Sequence, residues 1–182
     1  MICAGFDPDL DAAVLRKIAA LRAAGVRVSL PRHPPHLTLA AATVGASQLD
    51  DVRALVAGAA AGPEPFAVRL DEPGTFPGGV LWLGPRPSAQ LTALQAEVDG
   101  RLRAAGHARA FGARSDPELW VPHCTLARRL APQALDIAVA TLTDRFRPLT
   151  GRVERLLTIR LGHPGEAEVT PLRGRTGQAR PR

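Results

Sequence analysis

With 182 residues, 46% of them hydrophobic, the chain can bury a core of its own and suits one domain, or one domain built from two similar lobes. Its formal net charge of +6 overstates the basicity of the body: the last ten residues hold Arg173, Arg175, Arg180 and Arg182 with no acid, and without them about +2 remains. No apolar run approaches membrane-spanning length, no basic stretch leads into a long apolar one at the start, and Cys3 and Cys124 make neither a disulfide framework nor a paired metal motif, so a cytoplasmic address with reduced, buried thiols is expected.

In chain order, a strand over Ile2–Phe6 leads into a helix over Pro8–Ala24, capped by Asp7 and ended by Gly25. Val14, Leu15, Ile18 and Leu21 form its apolar stripe. Strands are predicted over Val26–Leu30 and His36–Thr43, with a proline-rich turn between them. Ser47 can cap a second helix through Ala60, and strands over Phe66–Asp71 and Val80–Leu83 then flank a loop over Glu72–Gly79. The second half repeats the theme. A helix over Ser88–Ala105 ends at Gly106, a loop crosses Gly112–Leu119, and a strand runs over Val121–Ala127. A helix over Pro132–Arg145 and strands over Gly151–Gly162 and Glu166–Leu172 close an α+β pattern with a rough internal duplication. The domain is expected to span residues 1–172, with 173–182 a basic, disordered tail.

Two five-residue segments carry the chemistry. Pro35-His36-Leu37-Thr38-Leu39 and Pro122-His123-Cys124-Thr125-Leu126 match at four of five positions, one in each half. In a strand, residues i and i+2 share a face, so each segment presents an imidazole beside a hydroxyl and turns Leu37 or Cys124 into the core. Two imidazoles and two hydroxyls suit acid–base work on a phosphate, one ring taking a proton while the other gives one. The bland readings stand beside this: a strand histidine is often structural, and threonine is an ordinary strand former. Arg128 can add fixed positive charge near the same phosphate or simply mark a solvated strand end. Phe76 and Trp120 can stack on a base or serve as packing and a loop anchor. His33 and His36 have His-x-x-His spacing, but Pro34-Pro35 forbids the helix that would make it a metal site, and strand parity puts His33 on the other face. His107 and His163 fall in predicted loops, as surface residues. There is no Gly-x-Ser-x-Gly elbow, and Cys124 should face away from His123, so a serine or cysteine hydrolase has little support.

The paired His-x-Thr motifs, the second within Pro-His-Cys-Thr-Leu-Ala-Arg, resemble the two-histidine phosphoesterase superfamily, the 2′,5′ RNA ligase-like proteins. Gly74-Thr75-Phe76-Pro77 followed by Val80-Leu81-Trp82-Leu83-Gly84 is similar to the segment those proteins carry between their motifs. The resemblance covers roughly Ile2 to Leu172. It implies a bilobal α+β fold of pseudo-duplicated antiparallel-sheet lobes, flanked by helices and facing across a central cleft. It also implies cleavage of cyclic phosphates or 2′,5′ linkages in RNA ends or small nucleotides, with no metal or organic cofactor, no membrane and no obligate protein partner. By resemblance His123 is the base and His36 the acid in hydrolysis, with Thr38 and Thr125 on the non-bridging oxygens. The chain departs from the family's habits at Ala40-Ala41-Ala42, after the first motif, and at Gly78-Gly79, where relatives often place a basic residue. ATP-independent 2′,5′ RNA ligation by the same residues, and a non-catalytic RNA- or nucleotide-binding module, are the alternatives.

Overall fold

Alternation in the strands and apolar stripes on the helices resolve into one seven-stranded antiparallel sheet with four α-helices in a computed structural model, which describes residues 1–29, 31–86, 88–111, 116–162 and 167–174. The strands are β1 (Ile2–Phe6), β2 (His36–Ala40), β3 (Phe66–Phe76), β4 (Val80–Pro85), β5 (Cys124–Ala127), β6 (Leu149–Ile159) and β7 (Ala167–Pro171). The helices are α1 (Pro8–Ala23), α2 (Leu49–Ala60), α3 (Ala89–Ala104) and α4 (Pro132–Thr143), with a short 3₁₀ turn over Ala46–Gln48 before α2.

The order across the sheet is β2-β1-β6-β3-β4-β5, with β7 also paired to β6. The duplication is explicit in this order. Strand–helix–strand units β1-α1-β2 and β4-α3-β5 each place a motif strand antiparallel to the strand before the helix. The lobes are not separate sheets: β3 and β6 pair along their flanks and join both halves edge to edge. The sheet bends far enough for its outermost strands to meet. Trp120 Nε1, just before β5, donates to the carbonyl of Thr38 in β2 at 2.9 Å.

Local chemistry explains the elements. Asp7 Oδ1 accepts from Leu10 N at 2.8 Å and caps α1, and Gly25, with φ 84°, reverses the chain after it. The buried stripe of α1 is Leu10, Val14, Ile18 and Leu21; Leu15, expected in it, is exposed. Ser88 Oγ caps α3 by accepting from Leu91 N. At α2, Ser47 is not the cap. It lies inside the 3₁₀ turn, which Gln48 Oε1 closes by accepting from Gly45 N at 2.8 Å. Leu37, Leu39, Leu81, Leu83 and Leu156 are fully buried in the main core, each worth about 1.5–3 kcal/mol relative to exposure.

Three further expectations are corrected. Residues 26–29 form no strand, because both edges of β1 are already taken by β2 and β6. Val26 instead folds back to donate to Leu21 O. The Glu72–Gly79 loop shrinks to residues 77–79, since β3 continues to Phe76. His107 is buried at 7% exposure, with its N–H donated to Leu102 O. Arg173 and Gly174 donate their N–H groups to Ala60 O and Pro63 O. His163 and tail residues 175–182 lie outside the described residues, as do residues 112–115 of the predicted loop. No helix among the described residues is long and apolar enough to cross a membrane.

Candidate active site

The two motifs orient their histidines in the same way. His36 Nδ1 lies 2.7 Å from Pro34 O, and His123 Nδ1 lies 2.8 Å from Val121 O. A carbonyl only accepts, so each Nδ1 carries a hydrogen and each neutral ring keeps its lone pair on Nε2. Both bonds reach back two residues, across Pro35 and Pro122. Those prolines hold the preceding carbonyls in extended geometry and give up no backbone N–H in doing so.

Both rings are half-buried. Burial lowers the proton affinity of each below the ordinary imidazole value, against the opposing pull of its carbonyl bond. Arg128, exposed just after β5, lowers both further, and the charge of His36 lowers His123. The two imidazoles and the guanidinium therefore share one electrostatic site. Thr38 and Thr125 are half-buried two residues beyond their histidines, on the same strand faces. Leu37 and Cys124 point into the core as expected.

Neither thiol suits a nucleophile's role. Cys124 is buried against the backbone of His36, and desolvation pushes its thiol up to about 12; Cys3, buried with Sγ 3.8 Å from Thr38 Oγ1, is pushed up to about 11 by the same cause. His33 stands close enough to His36 for the charge of His36 to lower its proton affinity, yet no group of three or more His, Cys, Asp or Glu side chains gathers among the described residues to hold a metal.

Around His123 the wall is aromatic. Phe76 meets its ring edge-on at 90°, centroids 4.8 Å apart, and Trp82 lies 5.1 Å from Phe76 and 6.2 Å from His123. Trp82 is opposite Thr125 on β5 and opposite Gly74 on β3. Its indole lies on Gly74 so closely that a Cβ there would fall 2.2 Å from Cζ2. Trp120 is different: it is half-buried against the main core with its N–H committed to Thr38 O, which makes it a tie between the motif segments.

Around His36 the wall is charged. On β6 Arg155 is opposite Gly5 of β1, and Gly5 is in turn opposite His36. Arg155 Nη2 donates to Asp11 Oδ2 at 2.5 Å. Sequence reasoning missed Trp82, Asp11 and Arg155 as site residues. The signal available for Trp82 was its alternation against Leu81 and Leu83, which puts it on the face opposite the core. Asp11 and Arg155 carry no local signal, because strand pairing brings Arg155 to the first motif and Asp11 meets it from α1. A cavity of about 370 Å³ lies away from this site. It lies by the start of β1, lined in part by Ala42, Thr43, Thr158 and Arg160.

Solved structures with the same fold include TT0787 of Thermus thermophilus, at 24% identity and TM-score 0.65, covering 95% of this chain and 97% of that one. Escherichia coli LigT, solved with 3′-AMP, aligns at 19% identity and TM-score 0.60 over 94% of this chain and 92% of its own. Usb1 of Kluyveromyces marxianus aligns at 15% identity and TM-score 0.51 over 94% and 95%. These likenesses speak for the fold alone. No curated protein matches the chain in sequence. The model of the 2′-5′ RNA ligase superfamily matches residues 7–164, a span that holds both His-x-Thr motifs, and the chain belongs to that superfamily.

Proposed function

We propose that the protein is a phosphodiesterase that opens 2′,3′-cyclic phosphates, or related 2′-linked phosphodiesters, of RNA or nucleotides without a metal ion. The observation that carries this reading is the pair of like-oriented imidazoles, each with Nδ1 bonded to a carbonyl and Nε2 left for a proton transfer, beside one guanidinium. Nε2 of His123 takes a proton from water as its oxygen forms a bond to phosphorus. Nε2 of His36 gives a proton to the ribose oxygen as its bond to phosphorus breaks, leaving a phosphomonoester and a free hydroxyl. Thr38, Thr125 and Arg128 donate to the non-bridging oxygens, where negative charge builds in the transition state. Structures of Escherichia coli LigT with 3′-AMP, ATP and phosphate support a nucleotide or RNA-end substrate, and Phe76 and Trp82 offer apolar ring surface beside His123 for a base.

The test is RNA ending in a 2′,3′-cyclic phosphate, incubated in EDTA with wild type, His36→Ala and His123→Ala. Ring opening by wild type is expected, with each variant slowed about 10²–10⁴-fold, the usual contribution of a general acid or base. An inert wild type that still binds the RNA would replace this reading with a binding module. Joining of cyclic-phosphate ends to a hydroxyl end would replace it with ligation.

A further inference from the structure

The two histidines sit in different electrostatic surroundings, although their motifs are alike. Asp11, in the first turn of α1, is mostly buried, with its side chain 16% exposed, and its partner Arg155 is 20% exposed. Oδ2 accepts from Arg155, while Oδ1 is buried and has no hydrogen-bond partner among the described residues. An unsatisfied, buried carboxylate oxygen costs free energy in a folded chain and calls for a reason. Gly5 supplies part of it. It stands between His36 and Arg155 in the sheet, and a Cβ there would fall 2.9 Å from Arg155 Cγ, so only glycine lets the arginine cross β1 toward α1.

The charges facing His36 can be named element by element. Arg128 acts from beyond β5, the α-amino group from the start of β1 and Asp11 from α1, while His33 in the preceding segment is itself lowered by the charge of His36. The charge of Asp11 favours the protonated form of His36, whereas the charges that bear most on His123, those of Arg128 and His36, both disfavour it. His123 has Phe76, Trp82, Arg128 and His36 around it instead.

We propose that Asp11 is a positioning residue for the first motif: held by Arg155 across Gly5, it places negative charge beside His36 and not beside His123, and so makes His36 the ring that carries the proton to the leaving oxygen. The acid role rests on the phosphodiesterase reading; the asymmetry between the rings does not. A carboxylate near one imidazole favours its charged form, and the other ring, in apolar and cationic surroundings, stays neutral and ready to accept.

The experiment is an NMR titration of the imidazole carbons in the full-length protein, free of substrate, for wild type, Asp11→Asn, Asp11→Glu and the double variant Asp11→Asn with Arg155→Met. The double variant removes both charges together, so it leaves no unpaired guanidinium to unfold the protein. In both Asn-containing variants the His36 midpoint should fall by about one pH unit, within the range for losing a nearby opposite charge, while His123 moves far less. Asp11→Glu should restore most of the His36 value. In kinetics, the alkaline limb of kcat/KM should move to lower pH by the same amount while the acid limb stays. A purely structural role for Asp11 would leave the midpoints of the folded double variant unchanged and overturn the proposal, as would equal shifts in both rings. If His36 shifts as expected but no cyclic phosphate is opened, the phosphodiesterase reading fails and the asymmetry stands.

Discussion

An imidazole that is hard to protonate in the free protein becomes easier to protonate once a phosphate anion lies against it. Burial depresses both His36 and His123 in the empty site, and Arg128 adds to the effect. The acid limb of the pH–rate profile reports the base losing its proton, and the alkaline limb reports the acid losing its own. For kcat/KM, which reads the free enzyme, both limbs should therefore fall below the ordinary imidazole value of about 6.5. For kcat, which reads the bound complex, the substrate's charge should carry both limbs upward. A kcat/KM optimum on the alkaline side of neutrality would contradict this account. The same depression links to stability. The unfolded chain binds more protons than the folded one between the lowered values and about 6.5, so stability should fall as pH drops through that window. At Phe76, whose edge-on contact holds the His123 ring, Phe76→Leu keeps apolar bulk and loses the ring. An aromatic pair of this kind is worth about 0.5–1.5 kcal/mol, so kcat/KM should fall by up to about tenfold while the His36 titration stays in place.

Turns and strand edges position the second motif, and two neighbouring glycines separate their causes. Gly78 and Gly79 both have positive φ, 84° and 70°. A Cβ on Gly78 meets open space, whereas one on Gly79 would lie 2.1 Å from Leu130 O, and Leu130 N donates to Gly79 O at 3.0 Å. Gly78→Ala should cost only the conformational penalty, about 1–2 kcal/mol. Gly79→Ala must also push away the backbone two residues past Arg128, so its urea midpoint should fall further and phosphate binding should weaken with it. Equal midpoints would show that the Leu130 contact yields freely. The Leu130 contact gives a packing reason for glycine at 79. The motif histidines and threonines were legible in sequence because their relation is local, two residues apart on one strand. The end of β3 was not. Pro73 and Gly74 read as loop, but β3 is paired to β6 only over Phe66–Leu70. From Glu72 onward β4 is its one paired neighbour, and an edge tolerates proline. Residues 26–29 erred the other way: Val26 and Val28 have strand character, but no unpaired edge of β1 remains for them. Arg155 and Trp82 reach the site through pairing across the sheet, and Asp11 through its contact with Arg155, relations that residue spacing does not encode.

The order β2-β1-β6-β3-β4-β5 has an approximate two-fold relation between β6 and β3, and each half completes the other's block of strands. The first half supplies β1 and β2 but sends β3 to pair with β4. The second supplies β4 and β5 but sends β6 to pair with β1. Neither half has three adjacent strands of its own, and three strands with an apolar face are about the minimum for independent stability. The pairing of β3 with β6 and the Trp120–Thr38 bond tie the halves again, at the centre and at the outer strands. A site built from one motif of each half is thereby held by the same contacts that hold the fold, and it cannot open without loss of a shared strand. Unfolding should accordingly be a single cooperative step. The chain's two tryptophans, Trp82 in β4 and Trp120 just before β5, report the β4-α3-β5 unit and its tie to Thr38, while far-UV circular dichroism reports every helix and strand. In urea the two signals should give one coincident transition. A fluorescence midpoint above the circular dichroism midpoint would mean that the β4-α3-β5 unit keeps its structure without β6 and β1 in place, and the exchange of strands would then shape the candidate site without setting its stability.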